Sequence, residues 1–360
     1  MEIIIVSPSL DPSQNVSGIS AVTKFIIDNN PNIIYIHFEL GRKDNEKGGI
    51  HRLKALFKKI IEWVKLLDNH PNAYIHYNFP LSKASILRDP VFMQIARLRK
   101  RKIIIHLHGG VFLTATHIPL FINLILKKIF AWNTPVIVLS KKELEIINQR
   151  FKCSNVYVLP NCIDLKDAYS FNKSINKEKP LTIGYLGRIA RTKGIDYLYD
   201  ACKLLKSNKI PFILKLAGQE EITGEYIDEF RKELKDEFIY EGVISGNKKN
   251  EYLKNLDIFV LPSFFEGLPI SLLESMSYGA IPITTNVGSI GEIVKNNYNG
   301  LFIEIKNSQS IYDKISFLHY NRDLIKNLSK NAQDTIFKNF SPTEYIENLN
   351  KIYKSITAPQ

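Results

Sequence analysis

The segment LPSFFEGLPISLLESMSYGAIPI, residues 261–283, carries two carboxylates, Glu266 and Glu274, with seven residues between them. A strand expected at 257–261 ends in Pro262-Ser263, Phe264-Phe265-Glu266-Gly267 reads as a loop, and Pro269 stands where a helix opens. Both carboxylates then face the carboxyl edge of a strand. Beside them a helix start at Gly267 and Leu268 presents N–H groups and a positive dipole end to a phosphate or sugar oxygen. Carboxylates in that place accept hydrogen bonds from hydroxyls, which suits a sugar or a ribose. The same pair also fits a structural role, Glu274 as a charge near a helix N-terminus and Glu266 as a solvated loop charge.

A second constellation, GYLGRIARTKGIDYL at 184–198, follows another apolar run. Gly187 and Gly194 bracket a loop holding Arg188, Arg191 and Lys193, so two or three cations meet the glutamates' edge of the sheet. Arg offers a planar fork and Lys a mobile point charge, together suited to a pyrophosphate and to the charge that builds on a nucleoside-diphosphate leaving group. A solvated basic turn is the alternative. No Walker sequence and no G-x-G-x-x-G fingerprint occurs, which argues against ATP hydrolysis and dinucleotide redox chemistry. In IIIHLHGGVF, residues 103–112, period two puts His106 and His108 on one strand face, with His108 at the exit beside Gly109 and Gly110. His108 is the site candidate, and His106 reads as a core residue. Gly18 precedes a helix whose amino end could approach a phosphate. No His, Cys, Asp or Glu cluster has metal-ligand spacing, so no metal and no resident cofactor is expected.

The elements that must position these groups alternate throughout. Strands are expected near 2–6, 33–37, 73–77, 103–107, 135–139 and 156–158, then near 181–186, 212–217, 238–241, 257–261, 281–284 and 301–303, with helices between them. A turn-rich stretch at 159–180 separates the two series. The chain turns helical beyond Ser308 and ends in a helix opened by Ser341-Pro342. Two parallel-sheet Rossmann-like domains follow, one over 1–163 plus 341–360 and one over 164–340.

Composition agrees: 360 residues, 45 % hydrophobic and 23 % charged, exclude a disordered or fibrous chain. Three cysteines, Cys153, Cys162 and Cys202, have neither disulfide-framework nor zinc spacing. The opening MEIIIVSPSL has no basic region ahead of its apolar run, and no window is apolar enough for a membrane span, so a cytoplasmic chain is expected. The formal charge is +12, and residues 1–165 carry most of it, with 22 Lys/Arg against 12 Asp/Glu. An anionic partner for the first half follows. GIHRLKALFKKIIEWVKLL at 49–67 places Arg52, Lys54, Lys58, Lys59 and Lys65 with Trp63 on an amphipathic helix, and RLRKRK at 97–102 adds five cations. Such a helix suits an anionic membrane or acceptor surface, or else a solvated face; no nucleic-acid motif accompanies the charge.

In this order the motifs resemble those of the retaining glycosyltransferases of the GT-B fold, family 4, over nearly the entire chain. The family's E-x7-E stands as Glu266 and Glu274, its Gly-Arg…Lys-Gly loop as Gly187-Arg188 and Lys193-Gly194, and its His-Gly strand end as His108-Gly109. Its amino-terminal glycine loop matches around Gly18 and its hinge at Pro160-Asn161-Cys162-Ile163-Asp164, with Ser17 and Cys162 standing where glycines are usual. The resemblance implies two domains facing a cleft and a C-terminal crossover helix. It implies a nucleoside-diphosphate sugar, UDP-sugar foremost, and a lipid-linked or polysaccharide acceptor in bacterial capsule, lipopolysaccharide or exopolysaccharide synthesis, on the inner face of the membrane. Arg188 and Lys193 would hold the diphosphate and Glu274 the ribose. Glu266, with the backbone of Gly267 and Leu268, would contact the sugar, and His108 would lie near it. Transfer would retain configuration and need no metal. Another GT-B activity, such as a sugar-nucleotide epimerase, or a silent membrane- or nucleic-acid-binding module stand as rivals.

Overall fold

The computed structural model describes the chain except residues 13, 16, 42–50, 116, 223, 225 and 357–360, and the side chains of 51–53, 111 and 114. It divides into two compact units, Met1–Asn161 with Pro342–Gln360, and Cys162–Ser341. The first runs β1 (Glu2–Ser7), α1 (Gly18–Asn29), β2 (Ile34–Glu39), α2 (His51–Asn69), β3 (Tyr74–Phe79), α3 (Lys83–Leu98), β4 (Ile103–Leu107), α4 (Val111–Thr114), α5 (Leu120–Phe130), β5 (Val136–Val138), α6 (Lys141–Phe151) and β6 (Val156–Val158). The second begins with α7 (Lys166–Tyr169), a short helix inside the stretch expected to be irregular. It continues β7 (Leu181–Leu186), α8 (Ile195–Ser207), β8 (Phe212–Ala217), α9 (Ile227–Leu234), β9 (Phe238–Gly242), α10 (Gly246–Lys254), β10 (Ile258–Leu261), α11 (Ile270–Ser277), β11 (Ile281–Thr285), α12 (Ile290–Ile293), β12 (Leu301–Ile303), α13 (Ser308–Tyr320) and α14 (Arg322–Asn339). The last helix, α15 (Pro342–Ser355), belongs to the first unit.

The inner strands β1, β4, β5, β10 and β11 are apolar runs buried on both faces, the signature of parallel sheets covered by helices, while the edge strands β2, β6 and β9 are partly exposed. The first sheet has the order β2-β1-β3-β4-β5-β6 and the second β12-β11-β10-β7-β8-β9, all neighbours parallel. The order reverses between β1 and β3 in the first unit and between β7 and β10 in the second. At such a switch point the loops leaving the carboxyl ends diverge and open a crevice for ligand. The β7 and β10 loops are the ones that carry Arg188, Lys193 and Glu266.

In the first unit one face of the sheet packs on α2, α3, α5 and α6, through residues such as Trp63, Phe92, Leu126 and Ile147. On the other face, α15 packs on α1, with the Phe25 and Tyr345 rings edge-on at 5.7 Å between centroids. Tyr353 of α15 meets His76 of β3, its hydroxyl 2.6 Å from Nδ1.

Two expectations about the basic surface are corrected here. Trp63 is fully buried, its indole Nε1 donating to the Phe92 carbonyl at 3.0 Å, so it is a core residue and not an interfacial one. The period shows why: Leu56, Ile60, Trp63 and Leu67 fall on one stripe of α2, the stripe that faces the sheet. Burying a ring of this size contributes roughly 1.5–3 kcal/mol, more than a surface position returns. The run at 97–102 is mostly spent inside the unit. Arg99 pairs with Asp68 at 2.9 Å, Arg101 donates to the Leu67 carbonyl at 2.9 Å, Lys102 to the Ile356 carbonyl at 2.6 Å, and Arg97 lies over the Trp132 ring. Lys54, Lys58 and Lys65 are exposed, Lys59 pairs with Glu62 at 3.1 Å, and the side chain of Arg52 lies outside the described residues. No helix among the described residues is long and apolar enough to cross a membrane.

Candidate functional site

In the second unit the two loops at the switch point are stitched together by their backbones. Phe264 N–H donates to the Thr192 carbonyl at 3.1 Å, which ties the glutamate loop to the basic one. Gly194 has φ +76°, and a Cβ there would lie 2.2 Å from the Pro262 carbonyl oxygen, so only glycine lets the loops approach. Thr285 Oγ1 donates to the Ser263 carbonyl at 2.6 Å and Ser289 N–H to the Gly267 carbonyl at 3.0 Å, so β11 and α12 brace the segment from behind.

On this frame Lys193 Nζ and Glu266 Oε1 form an ion pair of 2.6 Å. Both side chains are largely enclosed, 28 % and 11 % exposed, so the pair is screened less than a surface salt bridge and holds its geometry. Arg188 is exposed on the same loop, its carbonyl accepting from the buried Tyr185 hydroxyl at 2.6 Å. Glu274, one and a half turns into α11, meets Lys249 of α10 at 2.5 Å. The unit therefore carries two cations, Arg188 and Lys193, on the β7 loop, and two oriented carboxylates, Glu266 held by Lys193 and Glu274 held by Lys249. Gly187 continues β7 into this loop, and Leu268, buried, opens the turn into α11.

The first unit carries the remaining candidates. Gly18 is exposed at the first position of α1, after Ser17, whose hydroxyl accepts from Ser20 N–H at 3.2 Å and caps the helix. His108 follows β4. Its Nε2 lies 2.6 Å from Asn78 Oδ1 near the end of β3, and its ring lies against that of His106, tilted by 31° with centroids 4.2 Å apart. The protons on this contact can be assigned. The Val6 carbonyl only accepts, and Asn78 Nδ2 sits 2.9 Å from it and 3.2 Å from Thr23 Oγ1, so the amide nitrogen faces Val6 and Oδ1 faces the histidine. His108 Nε2 must then donate, which leaves Nδ1 as an acceptor. Burial pushes the His108 pKa down to about 3, with the nearby His76 ring opposing charge further, so the imidazole is neutral at pH 7. It can accept from a hydroxyl but cannot pair as a cation with phosphate. His106 is fully buried as expected and bonds His76 Nε2 at 3.1 Å.

Two residues escaped the sequence reading. Asn78 had a readable signal, since His76 and Asn78 are polar neighbours on one face of a strand otherwise apolar. Lys249 had none, because its meeting with Glu274 depends on how α10 lies on α11. Among the described residues no group of three or more His, Cys, Asp or Glu side chains is placed to hold a metal ion.

Residues 167–335 match the family model described as Glycosyl transferases group 1. The chain is 31 % identical over 193 residues to N,N'-diacetylbacillosaminyl-diphospho-undecaprenol alpha-1,3-N-acetylgalactosaminyltransferase of Campylobacter jejuni, covering 52 % of this chain and 49 % of that one. To UDP-Gal:alpha-D-GlcNAc-diphosphoundecaprenol alpha-1,3-galactosyltransferase of Escherichia coli it is 28 % identical over 211 residues, 55 % of this chain and 54 % of that one. The chain thus spans about half the length of these curated relatives. Among solved structures, sucrose-phosphate synthase from Thermosynechococcus elongatus superposes with a TM-score of 0.78 over 99 % of both chains at 18 % identity. Nearly the whole second unit thus matches the group 1 glycosyltransferase family, and the two parallel six-stranded sheets with their helices make the GT-B fold.

Proposed function

We propose that this chain is a glycosyltransferase that moves a sugar from a nucleoside-diphosphate donor, a UDP-sugar first of all, to a lipid-linked or polysaccharide acceptor. The observation that carries the reading is the enclosed Lys193–Glu266 pair on two loops that flank the switch point of the second sheet. A phosphate oxygen competes with Glu266 for the Lys193 ammonium. On donor binding, Lys193 and Arg188 hold the diphosphate, Glu266 is released to accept from sugar hydroxyls, and Glu274 takes the ribose. The bond from the anomeric carbon to the diphosphate oxygen breaks, the bond to the acceptor oxygen forms on the same face, and the acceptor proton passes to the departing phosphate. The two cations stabilise the charge that collects there in place of a metal, and attack on the face that the diphosphate leaves retains configuration.

The relatives named for diphospho-undecaprenol substrates support a lipid-linked acceptor and a setting in bacterial surface-polysaccharide assembly. The strongly basic first half suits a pyrophosphate-bearing acceptor at the inner face of the cytoplasmic membrane. The test is nucleoside-diphosphate release from a panel of UDP-, GDP-, ADP- and dTDP-sugars, with and without a crude lipid extract and without added metal. Release from one donor, rising with the extract, is the expected result. Release without any acceptor dependence means hydrolysis of the donor rather than transfer, conversion of one sugar nucleotide into another without release points to an epimerase, and silence across the panel overturns the reading.

A further inference from the structure

Helices that cover a sheet bury one stripe and show a polar face to water. Helix α5 does not. Its inner stripe, Ile122, Leu126, Ile129 and Phe130, is buried, yet Leu120, Phe121 and Leu124 on the outer side are 74 %, 65 % and 56 % exposed. The neighbouring helix repeats the pattern: Leu87, Val91 and Leu98, at i, i+4 and i+11 of α3, are 47 %, 45 % and 73 % exposed. On α2, which packs against α3 as α3 packs against α5, Phe57 and Ile61 are exposed one turn apart. Eight of the 20 large apolar side chains exposed among the described residues thus lie on three adjacent helices of one layer. Scattered exposed apolar residues are ordinary in soluble proteins, whereas a contiguous field of them marks an interaction surface.

The charges around this field name its partner. Lys54, Lys58 and Lys65 on α2, Lys83 on α3, and Lys127 and Lys128 on α5 are all exposed. The acidic side chains of α2 are paired, Glu62 with Lys58 and Lys59 and Asp68 with Arg99. A protein partner or a second copy of this chain would have to supply a compensating acidic face, whereas apolar side chains rimmed by lysines match the acyl boundary and headgroups of an anionic bilayer.

We propose that the outer face of the α2–α3–α5 layer docks on an anionic lipid bilayer, with α5 and α3 entering the headgroup region and the lysines contacting lipid phosphates. The proposal rests on the lipid-linked acceptor reading for its purpose, but its test needs neither donor nor acceptor. The protein is sedimented with vesicles of phosphatidylcholine alone and of phosphatidylcholine with phosphatidylglycerol in equal parts, at 0.1 M and 0.5 M salt, and its oligomeric state is measured by light scattering. Wild type should pellet with the phosphatidylglycerol vesicles and be released by salt. The variant Phe121→Glu/Leu124→Glu should bind at least tenfold more weakly, with an unchanged tryptophan-fluorescence melt as proof of folding. Tyr320→Glu, an equally exposed site on the second unit, should bind as wild type does. Failure of wild type to pellet, unchanged binding by the α5 variant, or a wild-type dimer that the α5 variant turns into a monomer overturns it. Because vesicle binding and donor release are measured separately, each reading can fail alone.

Discussion

Lowering the pH from 7.5 to 5.5 should destabilise the first unit by about 3 kcal/mol, and the histidines behind β3 and β4 set that figure. His76, His106 and His108 are held neutral by burial, which pushes His76 and His108 down to about 3 and His106 in the same direction. In the unfolded chain each titrates near 6.5, so as pH falls below that value the unfolded state takes up protons that the folded state refuses, and stability is lost. Over these two pH units each histidine costs about 1.4 kcal/mol, roughly 4 kcal/mol together. Asp89 works in the opposite sense. Burial raises its carboxyl to about 6, so the folded state takes up a proton first and returns roughly 1 kcal/mol over the same interval. His37, also lowered by burial, adds to the loss. The assay is urea unfolding followed by tryptophan fluorescence, which reads the first unit alone because both tryptophans of the chain, Trp63 and Trp132, lie in it. His106→Leu should flatten the dependence by about one proton's share. A urea midpoint that stays constant or rises on going to pH 5.5 would refute the reasoning.

Nitrogen-15 imidazole shifts should show His108 as the Nε2–H tautomer at pH 7, and Asn78→Leu should reduce it to a mixture; an unchanged tautomer in that variant would mean that Asn78 does not hold the ring. Gly288, at φ +58°, would bring a Cβ within 2.0 Å of the Glu266 carbonyl oxygen, whereas Gly242, at φ +70°, has nothing within 4 Å. Gly242→Ala should therefore cost about 1 kcal/mol of backbone strain, and Gly288→Ala should cost clearly more and lower donor affinity, read by thermal melting and nucleotide titration.

Much of the fold was legible because its signals are local. The expected strands were found with ends within about two residues, since short β-branched runs bounded by turn residues have few other readings. The Pro342 start of α15 followed from cap chemistry alone. The loops of the candidate site were legible for the same reason, as glycines and prolines placed Glu266 and Lys193 at strand exits. What was not legible depends on packing between distant segments. That Arg101 and Lys102 feed main-chain carbonyls of Leu67 and Ile356, rather than solvent, is a property of the folded unit. So is the pairing of Glu274 with Lys249. Trp63 is different: its helical period placed it on the buried stripe, and charge on the same segment outweighed that signal.

The most direct test of the central claim is calorimetric titration of nucleoside diphosphates into the wild-type chain, Arg188→Ala, Lys193→Ala and Glu266→Gln. One nucleotide should bind wild type, and loss of either cation should weaken it tenfold or more, as expected for a charge-assisted hydrogen bond worth roughly 1.5–3 kcal/mol. Glu266→Gln, which frees Lys193 from its competing carboxylate, should bind the nucleoside diphosphate at least as tightly as wild type while losing the affinity that the intact sugar adds. Unchanged nucleotide binding in both cation variants would contradict the account.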